Sequence, residues 1–403
     1  MTLSILWSRL ISIVDEAGTT LQRTSFSTVT RESNDFAVVL MDAEGRSIAQ
    51  SSISVPSFLG VLPMLTKALL ADYFPLESWA DGDVVMTNDP WLCAGHKPDI
   101  GIVSPVFYQE QLIGFIGTIA HSPDMGGVLW GAGSRDLYEE GLMVPPTKLI
   151  SQGEPNATLF SLLEHNVRAP LQTIGDIKAQ IAANDQGIRS LHKLMVENNL
   201  TDLKELSDAV ISASEKSMRE SIRQAKDGVY TYAYDTDGDG EGHGCHFEIA
   251  ITIKDDEISV DYEGTSGAHP LSINAVLNYT YAYTAYPIKC AFSPDVPNND
   301  GAFYPITVTA PEGCLVNAQK PSPLGARNIT GNMLHSVVFG ALSKAIPEKV
   351  QADCGSACWC IVLNGQHKNG QEFVEYFFLN GGYGARPGMD GEHALSFPTN
   401  VAN

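Results

Sequence analysis

Charge is scarce in this sequence and uneven in sign. Only 18% of its 403 residues are charged, with 25 lysines and arginines against 47 aspartates and glutamates. The formal charge of −22 argues against nucleic acid, because duplex binding rests on cations that neutralise phosphates. It argues equally against an anionic membrane surface. Small anions stay admissible, since a few local cations can hold them. Long apolar runs are missing too: nothing reaches the ~18 uninterrupted apolar residues of a membrane-spanning helix. The opening MTLSILWSRLISIVDEAGTT lacks the basic start and small-residue cleavage site of a secretory signal, so a cytoplasmic location is expected.

The seven cysteines are odd in number and scattered, which excludes a dense disulfide framework. Cys354, Cys358 and Cys360 cluster in DCGSACWC, but their spacing matches no zinc knuckle. They read as small buried side chains near a strand. Neither a GxxxxGK[ST] phosphate loop nor a strand-linked GxGxxG is present, so the chain has none of those devices for ATP. DTDGDGEGHGCH, from Asp235 to His246, begins like a calcium loop. Its twelfth position is His246 instead of a bidentate glutamate, and its eighth is Gly242 where an apolar residue belongs. An acidic hairpin turn is the better reading.

What is present is a chain with 44% apolar residues, ample for a large core. Leu3, Leu6, Leu10, Ile13, Val14, Ala17 and Leu21 keep helical spacing, which predicts an amphipathic amino-terminal helix. Strand-like runs follow: DFAVVLMD, RSIAQSSIS, GDVVMTND, IGIVSPVF and LIGFIGTIA, with AEG between Asp42 and Arg46 as a hairpin turn. Ile174, Ile177, Ile181, Ile188, Leu191 and Met195 mark a buried helical face. TDLKE from Thr201 is a capping start for a further helix toward Ala225. GVYTYAYD, CHFEIAITI and EISVDYEG return to strands, Asn328 to Ile346 reads as a helix stopped by Pro347, and WCIVLNG and EFVEYFFLNGG are strands again. Strands and helices segregate without regular alternation, so the expected class is α+β, with mixed, mostly antiparallel sheets flanking a helical middle segment. Three regions are expected: a β-rich region with the amino-terminal helix (1–160), a helical segment (161–226) and a second α+β region (227–403).

One motif is written twice. GHKPDIG runs from Gly95 to Gly101 and AHSPDMG from Ala120 to Gly126. IGIVSPVF, the polar YQEQ and LIGFIGTIA lie between them and read as an antiparallel hairpin. A turn centred between Gln109 and Glu110, or one residue later, sets Asp99 opposite Ala120 or His121. Both polar clusters then share the open end, where His96, Asp99 and His121 converge. Two imidazoles and a carboxylate suit a divalent cation; zinc, manganese and iron all accept such donors, and zinc and manganese lead. For a fourth ligand Asp35, at the start of DFAVVLMD, comes first, and Asp42 second. Asp124 is a candidate ligand, ligand-orienting group or proton carrier.

TNDPWLCAGHKPDIGIVSPVF followed by GTIAHSPDMGG resembles the hydantoinase B family, which includes N-methylhydantoinase B, the corresponding part of 5-oxoprolinase, and subunits of acetone and acetophenone carboxylases. TLQRTSFS, YEEGLMVPPTKL, NVRAPLQTIGDIKAQIAAN, PLSINAV, ARNITGN and GGYGARPGMDG extend the likeness over essentially the whole chain. It stops at SFPTNVAN, so the usual C-terminal segment is expected to be lacking. Cys93 and Lys97 stand beside the first motif in place of small or apolar residues, which points to a different substrate. The resemblance implies one divalent metal on Asp35, His96, Asp99 and His121. It also implies a hetero-oligomer with an actin-like ATPase subunit of the hydantoinase A type, through which ATP enters.

The leading expectation is then the metal-dependent subunit of an ATP-dependent cyclic amidase acting on hydantoin, 5-oxoproline or another lactam. Phosphorylating the carbonyl oxygen of an unstrained amide supplies a leaving group, and the metal either polarises the carbonyl or activates water. Asp124 and Glu140 are the candidate proton carriers. Arg327, at the start of a helix, is the candidate contact for a substrate carboxylate or phosphate. Two alternatives stand beside it: a subunit of an ATP-dependent ketone carboxylase, and a non-catalytic scaffold subunit.

Overall fold

The computed structural model describes residues 2–238, 242–355, 359–395 and 401. Its chain starts with helix α1 (Leu3–Thr24), on which Leu10, Val14, Ala17 and Leu21 are fully buried. Each such leucine or valine contributes about 1.5–3 kcal/mol, enough to hold the helix against the sheet without an N-cap side chain. A short α2 (Thr28–Arg31) leads to strands β1 (Phe36–Asp42) and β2 (Ser47–Gln50), then to α3 (Val61–Ala68) and β3 (Val84–Thr87). The long hairpin β4 (Asp99–Tyr108) and β5 (Gln111–His121) precedes β6 (Thr147–Ser151) and β7 (Glu154–Pro155). These seven strands make one sheet in the order β2-β1-β5-β4-β3-β6-β7, antiparallel throughout.

Both faces of this sheet are covered, which is why β1 is buried at all seven positions instead of alternating. On one face lie α1, α5 (Pro170–Asn198) and α6 (Lys204–Ile222), introduced by α4 (Ala157–Asn166). On the other lie α3 and residues of a later hairpin. The capping start expected at Thr201 is not used: α6 opens at Lys204 behind Leu203, and Asp202 accepts the Lys204 N–H at 2.9 Å.

A second sheet, β11-β10-β9-β8, is formed by β8 (Gly228–Asp235), β9 (His246–Lys254), β10 (Glu257–Asp261) and β11 (Ile306–Thr309). Only β10 and β11 run parallel. Helices α7 (Leu277–Phe292) and α8 (Arg327–Leu342) share its core, and the hairpin β12 (Trp359–Gln366) and β13 (Glu372–Leu379) follows. The fold is thus α+β with mostly antiparallel sheets. The DTDGDGEGHGCH stretch joins β8 to β9, with Asp235 paired to His246, although residues 239–241 of it lie outside the described set. So does Cys358 of the cysteine cluster. Cys354 is buried and accepts from Gln351 Nε2 at 3.1 Å. Among the described residues, no helix is long and apolar enough to cross a membrane.

Candidate metal centre

The β4–β5 hairpin turns through Gln109 and Glu110, both at positive φ, a two-residue turn that suits antiparallel strands. Tyr108 pairs with Gln111 next to it. Continued without interruption, that register would set Asp99 against Ala120. A bulge between Val106 and Phe107 shifts it by one, and Asp99 faces His121 instead. Of the two registers open from the sequence, the bulge selects the one that brings carboxylate to imidazole.

Three neighbouring pieces complete the cluster. Strand β1 pairs with β5, and the carbonyl of Asp35 accepts the His121 N–H at 3.0 Å. His96 lies in the turn that ends at Asp99, and Ser122 N donates to Pro98 O at 2.7 Å, tying the two motif copies directly. Asp99 Oδ1 then lies 2.9 Å from His96 Nε2 and 3.1 Å from His121 Nδ1, while Asp35 Oδ2 is 3.8 Å from the latter. One donor atom each from His96, Asp99 and His121 fall within 4.8 Å of one another. All three side chains are at most 2% exposed. Asp42 is at the opposite end of β1, where it caps the turn to β2 and holds Arg46 and Ser207.

The hydrogen bonds decide which nitrogens are free. His96 Nδ1 lies 3.0 Å from the Gly325 carbonyl. That oxygen can only accept, so the proton sits on Nδ1 and Nε2 carries a lone pair. Burial, aided by the Arg327 charge, lowers the His96 pKa to about 4, so the ring is neutral near pH 7. Its Nε2 is buried with no aligned hydrogen-bond partner, although it faces Asp99 at 2.9 Å. His121 Nδ1 bonds Asp99, leaving His121 Nε2 buried and unpartnered as well. A lone pair held this close to a carboxylate oxygen is repulsive unless a cation is shared by both. Two orphaned imidazole nitrogens on rings that both adjoin the Asp99 carboxylate form a donor set that suits a divalent metal. The adjoining space is about 40 Å³, room for an ion and a water.

The charges balance around Asp99. Burial alone would raise its pKa, but His96 and the Arg327 guanidinium outweigh that and hold it below the ordinary carboxylate value. Burial raises Asp35 to about 6, with the nearby Asp99 adding to the rise and His121 opposing it. Arg327, the first residue of α8, bonds Asp99 Oδ2 and the Ala94 carbonyl and lies 4.0 Å over the Tyr279 ring. It crosses Gly95, where a Cβ would stand 2.8 Å from Arg327 Cδ and where φ is +89°. Arg327 is therefore part of the centre and lines its cavity, with Nε and Nη2 engaged by protein groups.

The other expected residues lie behind the centre. Asp124 Oδ1 is 2.6 Å from Arg168 Nη1, and its Oδ2 accepts the Arg168 N–H at 2.5 Å. Glu140 Oε1 accepts from Ser134 Oγ at 2.6 Å and from the Leu324 and Gly325 amides, both at 2.7 Å. Burial raises the Glu140 pKa, with those hydrogen bonds opposing. Neither carboxylate reaches the histidines. Lys97 turns away and donates to the Leu137 and Gly141 carbonyls at 2.6 Å each, and Cys93 is buried under Gly101. Neither reaches the centre, so the expectation that they alter the substrate finds no support in this geometry.

Several residues of the centre have no motif to announce them. Trp130 packs its ring 5.2 Å from His121 and 6.2 Å from His96 and donates Nε1 to the Gly325 carbonyl at 2.5 Å. Tyr376 of β13 stands 5.3 Å from His121 and donates to Pro123 O at 2.8 Å. A lone tryptophan in the glycine-rich GGVLWGAGS was the one available hint.

A model of the family described as Hydantoinase B/oxoprolinase matches residues 1–403. The B component of a putative D-/L-hydantoinase from Pseudomonas sp. (strain NS671) is 32% identical, over 98% of this chain and 69% of that protein. The crystal structure of ATP-dependent caprolactamase from Pseudomonas jessenii superposes with a TM-score of 0.90 at 28% identity, over 98% of this chain and 69% of that one. A nucleotide-free acetone carboxylase structure gives 0.89 at 18% identity, over 100% of this chain and 56% of that one, a likeness of fold.

Proposed function

The chain belongs to the hydantoinase B/oxoprolinase family, and from that premise we propose that it is the metal-holding subunit of an ATP-dependent cyclic amidase. Its substrate is hydantoin, 5-oxoproline or another lactam, and its partner is an ATPase subunit of the hydantoinase A type. The observation that carries this reading is the pair of buried, unpartnered imidazole nitrogens of His96 and His121 beside Asp99. The likeness to a caprolactamase above 25% identity favours amide chemistry over ketone carboxylation, which rests on fold alone.

In this reading His96, Asp99 and His121 hold the ion and Asp35 is the fourth ligand. When bound there, the ion would supply Lewis acidity that activates water for attack on the carbon of the O-phosphorylated amide. Arg327 orients Asp99 and offsets its charge. Asp124 and Glu140, both engaged by other groups, support the loops around the centre instead of carrying protons. Because the space there is about 40 Å³, a ring-sized substrate requires the wall of Trp130 and Phe378 to move aside.

The test is elemental analysis of the purified chain together with ATP-dependent assays on a panel of lactams and ketones, with the cognate ATPase subunit. One equivalent of zinc or manganese and lactam hydrolysis independent of bicarbonate are expected, with both lost in His96→Ala and His121→Ala. Bicarbonate-dependent turnover of ketones would transfer the chain to the carboxylases. Full turnover by both histidine variants would leave only a scaffold role.

A further inference from the structure

We propose that Glu140 is a positioning residue for this centre: through the amides of Leu324 and Gly325 it holds the His96 ring with its proton on Nδ1 and its Nε2 lone pair toward the ion. The proposal rests on the cation reading above, and it gives Glu140 a task that does not involve proton transfer.

The connections form a closed circuit. Glu140 Oε1 accepts the Leu324 and Gly325 N–H groups at 2.7 Å each. That holds the backbone entering Gly325. Its carbonyl lies on the next peptide, whose Ala326 N–H donates to Ser272 O at 2.7 Å, and accepts from His96 Nδ1 at 3.0 Å and Trp130 Nε1 at 2.5 Å. From the other side Lys97, the chain neighbour of His96, donates to the carbonyls of Leu137 and Gly141, which bracket Glu140. One short turn thus grips the histidine twice. The fit leaves little play, since a Cβ on Gly325 would stand 3.2 Å from Gly131 O and 3.3 Å from Glu140 Oε1.

The circuit matters because a competing state lies close by. With Nε2 only 2.9 Å from Asp99 Oδ1, a small turn of the ring lets it instead carry its proton on Nε2 and donate it to Asp99. That tautomer removes the ligand lone pair, and a cation must then displace the proton. The Gly325 carbonyl excludes it, because an Nδ1 lone pair facing an acceptor oxygen is repelled. Glu140 anchors the residue from which that carbonyl projects, and Ser272 holds the carbonyl's own peptide.

The experiment compares Glu140→Gln, Glu140→Asp and Glu140→Ala in the full chain. Zinc affinity is measured by competition with a chelator, the His96 tautomer by side-chain ¹⁵N NMR of the metal-free protein, and integrity by thermal unfolding. Gln retains an acceptor oxygen at the same reach and keeps affinity within about threefold. Asp is one methylene short of both amides, so Asp and Ala weaken binding about 10–100-fold and move the His96 proton toward Nε2. If Ala does not fold, the Asp variant decides. A folded Asp variant with parental affinity and an unchanged tautomer overturns the proposal. Should the parent chain bind no zinc, the cation reading fails separately, and the tautomer spectra alone judge Glu140.

Discussion

His96-Lys97-Pro98-Asp99 and His121-Ser122-Pro123-Asp124 are the same motif with one letter changed, and the fold uses them differently. In the first copy the aspartate opens strand β4 and the histidine precedes it; in the second the histidine closes β5 and the aspartate lies beyond it. Antiparallel pairing therefore matches the first aspartate with the second histidine. His96 folds back over the pair, and Asp124 is carried outward to Arg168. What a motif does depends on which end of a strand it occupies, because the strand sets the direction in which the next three residues leave.

The largest expected effect breaks the two copies apart at their aspartates. Asp99→Asn should weaken metal binding by more than the roughly 10–100-fold that outer-shell changes cost. It also leaves the Arg327 guanidinium buried without its carboxylate, a loss of about 3–5 kcal/mol. Asp124→Asn should leave metal content and turnover intact and cost only about 1 kcal/mol, since Arg168 is partly solvated. Chelator competition and denaturant unfolding on both variants measure the contrast. Equal loss of metal in the two would show that the copies are equivalent and that Asp124 belongs to the centre.

Much of this was legible in the sequence, for identifiable reasons. The hairpin followed from two apolar runs and a polar link, and the convergence of His96, Asp99 and His121 from the hairpin. The amino-terminal helix followed from its periodicity. The bulge at Val106 and Phe107 was not legible, because no local residue type demands it. Arg327 meets Asp99 from 228 residues away, and the Gly325 carbonyl is backbone, which carries no side-chain signal. Helix α7 escaped because its tyrosines and threonines favour strands and it contains Pro287. It is buried on most faces, so it shows no amphipathic stripe. The TDLKE start at Thr201 looked like a cap, but the chain turns into α6 two residues past Asp202.

The next contrast lies in the glycines that follow each copy. Gly126 has φ of +77°, and a Cβ there would meet the Asn166 carbonyl oxygen at 2.4 Å. Gly101 sits inside β4, and the close contacts of its Cβ would be side-chain atoms, Leu65 Cδ2 at 2.9 Å and Cys93 Sγ at 3.0 Å, with the Thr87 carbonyl oxygen at an ordinary 3.7 Å. Backbone cannot yield as a leucine tip can. Gly126→Ala should therefore lose about 1–3 kcal/mol of stability, and Gly101→Ala clearly less, read as the difference in Tm. The reverse order would mean that packing under β4 is the tighter constraint.

The smallest contrast lies at the one letter that differs. Lys97 gives its ammonium to two carbonyls at 2.6 Å, whereas Ser122 makes longer contacts, 3.2 Å to Asp124 O and 3.4 Å to Thr173 Oγ1. Burial lowers the Lys97 pKa, with nearby Glu140, Asp136 and Asp89 opposing the fall, so removing the lysine also removes a cation near those carboxylates. Lys97→Met keeps the length of the stem and strands two acceptors, for a cost of about 1–3 kcal/mol. Ser122→Ala gives up two weak bonds in a tight turn and should stay within about 0.5–1 kcal/mol of the parent. The ordering sharpens the comparison beyond stability, because Lys97 holds the turn that carries Glu140 and the Ser122 hydroxyl holds nothing that reaches a ligand. Lys97→Met should thus weaken zinc binding severalfold in folded protein while Ser122→Ala leaves it unchanged. Parental zinc affinity in Lys97→Met would reduce the lysine to a local brace and remove one side of the grip on His96.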